Sequence, residues 1–236
     1  MQSLNAAPER HRAGFTLIEI LVGVAILAIL SAALTPLVIK YVNDGRRARA
    51  LSDSQILGQA IRAFNLDTGI WPVSSDGNIN DGGEVSRLVG LPAGFGGADI
   101  PNGANVATGD DNWDGGGSGG AAQPIEDHLI FNRTATVDPL YPVSASPPQP
   151  PGWNGPYLDR VPLDPWGRPF VCNVRYLQNA NVNGTTQAER DQHAVWCLSA
   201  GPNGVWETAF DDGTEIENNP GGDDIGAVIQ GNRNRN

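Results

Sequence analysis

The chain has 236 residues, with 15 Lys and Arg against 26 Asp and Glu for a net charge of −11, and about a fifth of it is glycine (30) and proline (18). That composition excludes a tightly packed all-helical enzyme and calls for many turns and long loops, yet it stays below the level of a wholly disordered chain, so one folded domain with attachments is expected. Charge is split unevenly: residues 1–62 hold seven basic and four acidic groups, leaving −14 on the rest. An acidic body lacks the clustered cations that nucleic acid requires, which excludes that partner.

Residues 1–14, MQSLNAAPERHRAG, are polar, carry Arg10 and Arg12 and end in Gly14. The following twenty-five residues, 15–39, read FTLIEILVGVAILAILSAALTPLVI with one charge, long enough to cross a hydrocarbon core of roughly 30 Å. An ordinary secretory signal has an apolar core of about 7 to 15 residues followed by a small-residue cleavage site. Here the run is longer and the small residue precedes it, so cleavage at Gly14 leaves the helix attached. Glu19 stands inside this run, where an unpartnered acid costs roughly 2.5 to 3.5 kcal/mol at a helix centre, so it needs a partner or a place at the headgroup boundary. Lys40, Arg46, Arg47 and Arg49 follow the span and outnumber the cations before it, so counting positive charges leaves the orientation open.

The segment Gly14-Phe15-Thr16-Leu17-Ile18-Glu19 with its apolar run resembles the type IV pilin superfamily. The resemblance implies that a prepilin peptidase removes residues 1–14 between Gly14 and Phe15, that the new amino group of Phe15 is methylated, and that Glu19 pairs with the N-terminal amine of a neighbouring subunit during assembly. Beyond the membrane, Val42, Ala48, Leu51, Leu57, Ala60, Ile61 and Phe64 recur near helical spacing, which predicts an amphipathic stem over 40–68 ended by Gly69 and Pro72. Pro36 removes one backbone donor and is expected to kink or locally melt the helix.

Residues 69–154 are rich in Gly, Pro, Asp and Asn and read as a variable loop region with one short helix near 124–131. Asp110-Asp111-Asn112-Trp113-Asp114-Gly115 has the order of the first half of an EF-hand loop, but its twelfth position is Ala121 and no helix pair flanks it, so a flexible tip is expected, with a loose extracellular-type calcium loop as the alternative. The glycines of 115–120 spell GxSxG and GxGxxG without a strand before them or a helix after, and carry no chemistry. His128 is expected at the surface and His193 in a strand.

From 155 to 236 strand signals return: PFVCNVRY (169–176) and HAVWCL (193–198) predict an antiparallel pair against the stem. Cys172 and Cys197 fit no zinc pattern and pair as a disulfide only if the chain is exported; otherwise they are buried thiols. Gly155-Pro156-Tyr157-Leu158, Val161-Pro162-Leu163-Asp164-Pro165-Trp166-Gly167-Arg168-Pro169-Phe170, Ser199-Ala200-Gly201-Pro202-Asn203-Gly204 and Asp223-Asp224-Ile225-Gly226 are similar to segments of the major pseudopilin (protein G) family of type II secretion.

That resemblance implies an α+β pilin-like fold: a long N-terminal helix, a small antiparallel sheet and a loop-rich insertion. It implies a structural Ca2+ site on Ala200, Asn203, Asp223 and Asp224, with Asp211 and Asp212 as the alternative acidic pair, although Asn203 stands where an aspartate is usual. It also implies export and therefore the Cys172–Cys197 disulfide. The function implied is non-catalytic: polymerisation into a periplasmic pseudopilus. The partners are further copies of the chain, other pseudopilins, inner-membrane secretion components, the prepilin peptidase and the inner membrane. A surface type IV pilin and a membrane-tethered enzyme or binding module are the alternatives.

Overall fold

One helix carries both solvents the chain must meet. In the computed structural model, which describes residues 14–77, 85–91, 100, 113, 121–143, 152–177, 186–208, 210 and 220–231, helix α1 spans Leu17–Thr68. Two compact units divide between Gly45 and Arg46. In the first, every apolar side chain from Leu17 to Ile39 is exposed, including Leu17 at 84% and Ile29 at 70%. It is the stretch long and apolar enough to cross a membrane. The helix is unbroken through Pro36, so the proline does not melt it. Thr35 Oγ1 donates to the Ser31 carbonyl at 2.7 Å beside the donor that the proline lacks.

In the second unit the stem buries Ala50, Ser54, Leu57, Ile61, Phe64 and Thr68, a stripe spaced alternately four and three residues apart. Leu51 falls between these positions and is 40% exposed, a departure from the expected apolar face, and Val42 is exposed as well. Phe64 is fully buried, edge-on to Tyr141 at 4.7 Å and to Tyr157 at 5.6 Å. Ser54 is the polar exception: its Oγ donates to the Cys197 carbonyl (2.5 Å) and accepts from the Ala227 N–H (2.7 Å), tying the stem to two strands at once.

The sheet has five strands: β1 (Val85–Val89), β2 (Ala121–Pro124), β3 (Val171–Cys172), β4 (Val195–Ser199) and β5 (Ile225–Gln230), in the order β2-β1-β3-β4-β5. β1–β3, β3–β4 and β4–β5 are antiparallel, whereas β1–β2 is parallel. The sheet is therefore mixed rather than purely antiparallel. Its β1–β2 edge comes from the region expected to be loop, because VSRLV contains Ser86 and Arg87, both fully buried, and lacks a clean apolar alternation. β5 was likewise hidden in an acidic, glycine-rich context. A Cβ on Gly226 would lie 2.3 Å from the Cys197 carbonyl oxygen, so only glycine lets β5 pair this closely with β4.

The expected strand 169–176 shortens to Val171–Cys172, followed by a 3-10 turn at Val174–Tyr176. The expected strand at 193–198 begins two residues later, because His193 ends the short helix α2 (Gln187–Gln192). The helix near 124–131 is present, and its Asp127–Phe131 part has π-helical bonding. Asn132 ends it in a left-handed conformation (φ 53°); its side chain accepts from Tyr141 N–H (2.7 Å) and donates to the Tyr141 carbonyl (2.9 Å).

Cys172 and Cys197 face each other in the β3–β4 register and form the disulfide. The bond closes a sequence separation of 25 residues. Replacing both cysteines by serine is expected to lower unfolding free energy by roughly 3 to 4 kcal/mol in the chain-entropy model, read by denaturant unfolding of oxidised wild type against the variant. Equal stability would remove the bond from the account of the fold.

Candidate functional site

Two regions carry the sequence-derived site residues, one in each unit. In the first, Thr16 and Glu19 make a reciprocal cap on α1. Glu19 N–H approaches Thr16 Oγ1 (3.3 Å), and Thr16 N–H approaches Glu19 Oε2 (3.4 Å). This is the T-x-x-E capping box, legible in Thr16-Leu17-Ile18-Glu19, and it gives the glutamate a helix-starting role beside its expected assembly role. Both contacts are long and exposed, so they leave most of the carboxylate's need for a partner unmet. Gly14 and Phe15 precede the helix and are exposed, Phe15 at 79%.

In the second unit the turn of Ala200 and Asn203 meets Asp223, while Asp224 turns to Glu207 and Thr208. Gly204 N–H donates to the Ala200 carbonyl (3.1 Å), closing a turn, and Asn203 N–H donates to Asp223 Oδ2 (3.3 Å). Asp224 Oδ2 accepts from the N–H groups of Glu207 (2.9 Å) and Thr208 (2.7 Å). Glu207 Oε2 in turn accepts from Asp223 N–H (2.5 Å). The turn leaves no room: Gly201 has φ +59°, and a Cβ there would lie 2.1 Å from the Asp223 carbonyl oxygen.

Among the described residues, Asp223 Oδ1 and Asp224 Oδ1 are buried without a hydrogen-bond partner. Burial pushes the Asp224 carboxyl up to about 6, against the pull of its hydrogen bonds, and the Glu207 charge adds to the rise. Asp223 is raised by burial and then by Glu207, while Arg47 pulls it back. Glu207 is thus a third carboxylate that the sequence reading missed, since neither of the two acidic motifs includes it. Among the described residues no three Asp, Glu, His or Cys side chains converge into a ready metal cage. Asp211 and Asp212, the 110–112 and 114–120 parts of the EF-hand-like and glycine-rich motifs, and most of the leader lie outside the described residues.

Asp164 is tied to the same turn through Ser199 and Arg168. Its Oδ1 accepts from Trp166 N–H (2.9 Å) and Arg168 N–H (2.8 Å), its Oδ2 accepts from Ser199 Oγ (2.6 Å), and Arg168 Nε lies 3.7 Å away. The Arg168 guanidinium donates to the Gly201 carbonyl. The Asp-Pro-Trp-Gly-Arg motif is therefore a side-chain-closed turn clamped to the 200–204 turn.

Trp113 is buried rather than solvent-exposed at a loop tip: it stacks on Trp206 at 5.3 Å, meets Phe210 edge-on and donates its indole N–H to the Thr208 carbonyl (2.7 Å). His128, expected at the surface, is fully buried between Tyr141 Oη (2.6 Å from Nδ1) and Gln123 Oε1 (2.9 Å from Nε2). Burial pushes its pKa down to about 3, so it stays neutral. His193 stacks on Tyr176 at 4.2 Å.

Comparison with known proteins bears on both regions. The family described as prokaryotic N-terminal methylation motif matches residues 10–35, and the family described as type II secretion system protein G matches residues 135–184. The chain is thus similar at its N-terminus to proteins with that methylation motif and in its body to the major pseudopilin of type II secretion. A type II secretion system core protein G of Pseudomonas aeruginosa is 25% identical over 162 residues, covering 68% of this chain and 72% of that one. Proteins of the same name from Vibrio cholerae and Aeromonas hydrophila are 28% and 27% identical, each over 34% of this chain. The matched parts span just under two thirds of these two relatives, 64% and 66%. No solved structure matches significantly. The protein G match contains the Asp164 clamp of this pilin-like chain, while the 200–204 turn and the Asp223-Asp224 pair lie beyond it.

The acidic pair makes stability pH-dependent. Because the folded pKa of Asp224 lies above that of a free carboxyl, the chain gains stability as pH falls through 6 toward 4. His128 acts oppositely, losing stability as pH falls below 6.5 toward 3. Asp224→Asn isolates the first effect, keeping an oxygen for Glu207 and Thr208 N–H while placing an amide where Oδ1 lacks a partner. Without calcium at pH 7 the variant is expected to be more stable by roughly 1 to 3 kcal/mol, shrinking to nothing near pH 4. Denaturant unfolding across that range checks it; a constant difference contradicts the assignment.

Proposed function

We propose that the chain is a structural subunit that polymerises into the pseudopilus of a type II secretion system, anchored in the inner membrane by residues 15–39 with its C-terminal body in the periplasm. The observation that carries this reading is an uncovered apolar helix beginning with the Gly14-Phe15…Glu19 leader signature, joined to a body similar to protein G. The apolar surface is covered first by lipid and, after assembly, by the helices of other copies. The prepilin peptidase frees the amine of Phe15. That amine supplies a positive charge near the depth of Glu19, and pairing across subunits relieves both desolvation costs and sets axial register. The work is non-catalytic, with energy and positioning supplied by other pseudopilins and inner-membrane secretion components.

Glu19→Ala is expected to insert and to lose its leader, since the Gly14-Phe15 junction is untouched, yet to yield few sheared fibres. Normal fibres would refute the pairing role, and failed leader removal would assign Glu19 to the peptidase. A wild-type mature chain whose intact mass does not correspond to a start at methylated Phe15 would overturn the processing step.

The acidic turn is proposed to hold calcium. Its oxygen-only donor set suits a hard cation, and the unpartnered Asp223 Oδ1 and Asp224 Oδ1 are the atoms it would engage, beside Asn203 and the Ala200 carbonyl. Bound calcium would offset the burial and the Glu207 charge that raise the Asp224 pKa. Millimolar calcium should raise the melting temperature of the wild type and leave the Asp223→Ala, Asp224→Ala double variant unchanged. No shift in wild type, or an equal shift in both, contradicts the site.

A further inference from the structure

Trp113 lies in the insertion, between Ile100 and Ala121, and is only 2% exposed. Its contacts run to Trp206, Thr208 and Phe210, none of them a proposed calcium ligand. These three residues form a layer between the insertion and the sheet, since Phe210 also lies under the Arg87 guanidinium of β1 at 5.7 Å and beside Tyr176 at 6.1 Å.

That layer is fastened to the acidic turn mostly through carboxylates. Asp224 Oδ2 accepts from Glu207 N–H (2.9 Å) and Thr208 N–H (2.7 Å), Glu207 Oε2 accepts from Asp223 N–H (2.5 Å), and Thr208 Oγ1 accepts from Gly221 N–H (2.9 Å). Thr208 is 1% exposed and is held through its N–H by Asp224, its hydroxyl by Gly221 and its carbonyl by Trp113. The fastening opposes itself, because the Glu207 charge acts on both aspartates and because Asp223 Oδ1 and Asp224 Oδ1 are buried without hydrogen-bond partners among the described residues. A divalent cation engaging those oxygens offsets the repulsion and fixes the carboxylates on which the layer hangs.

We propose that Thr208 and Trp113 form a latch that calcium at the acidic turn closes: fixing Asp224 fixes Thr208, and Thr208 holds Trp113 of the insertion against the body. The latch depends on the calcium site proposed above and gives that site a role in presenting the insertion. Such coupling is reciprocal, so Trp113 tightens calcium binding by the factor with which calcium tightens the hold on Trp113, about fivefold or more for couplings of ordinary size.

The test uses the mature full chain in neutral detergent, with calcium chloride or with a chelator, and follows hydrogen exchange of the indole N–H groups by NMR at constant pH. Trp153 is the internal control, since its indole donates to the His128 carbonyl (3.1 Å) rather than to Thr208. Calcium is expected to slow Trp113 exchange at least about fivefold while changing Trp153 by less than about twofold. In calorimetric titration with calcium chloride, Trp113→Phe keeps a ring for Trp206 and Phe210 but loses the N–H, and should bind at least about fivefold more weakly than wild type. Trp153→Phe should bind as wild type does. Equal slowing of both indoles marks a general gain of stability and overturns the latch, as does a Trp113→Phe variant that binds like wild type. If Trp113→Phe fails to fold, the exchange measurement on wild type decides alone. A wild type that binds no calcium sinks the calcium site and the latch with it, whereas calcium binding without selective protection of Trp113 sinks the latch and leaves the site.

Discussion

The eighteen apolar residues from Leu17 to Ile39 of α1 that the described parts of the chain leave uncovered are the constraint on which the rest depends. Leaving side chains such as Leu17, Leu27 and Ile29 in water forfeits about 25 cal/mol per Å² of apolar area, far more in sum than the net stability of a domain. The segment therefore exists in lipid or against other helices, and everything polar within it is an exception that needs a reason. Pro36 removes one donor while Thr35 returns its hydroxyl to the backbone. Glu19 has a capping role too weak to satisfy it alone, and this unmet need is the physical ground for the assembly role proposed for it.

The stem half of the same helix meets the opposite condition. It gains its stability by burying one stripe against a sheet whose strands come from distant parts of the sequence, with Ser54 bonded to β4 and β5 and Arg62 donating to the carbonyls of Val228 and Ile229. The turns beyond the sheet are organised by aspartates rather than by apolar packing. Asp164 closes the turn before β3 and reaches Ser199, while Asp224 gathers Glu207 and Thr208, whose carbonyl receives Trp113 from the insertion. The acidic pair thus joins the C-terminal loop to Trp113 of the insertion, so a change of charge at Asp224 acts on both.

Much of this was legible because local chemistry and long-range structure agree. The leader motif, the apolar run, the stem's spacing and the paired β-rich segments around Cys172 and Cys197 each carry their own signal. β1 was not legible: a buried strand containing Ser86 and Arg87 looks polar until its neighbours are known, and Phe210, whose ring lies under the Arg87 guanidinium, is over a hundred residues away. The buried His128 lacks a sequence signal for a similar reason, since Tyr141 becomes its partner only once the 132–141 loop folds back. Asn203, Asp223 and Asp224 stand in segments that resemble a family pattern, and only that resemblance marks them in the sequence. Glu207 escaped because its contribution is made through the backbone of Asp223, a contact without a sequence signature.

The most direct measurement is imaging of sheared fibres from cells that produce the full precursor together with the inner-membrane assembly components, with antibody labelling of this chain. The account predicts filaments built from leader-free chain. Leader-free subunits that remain dispersed in the membrane, with no filaments when overproduced, would contradict it.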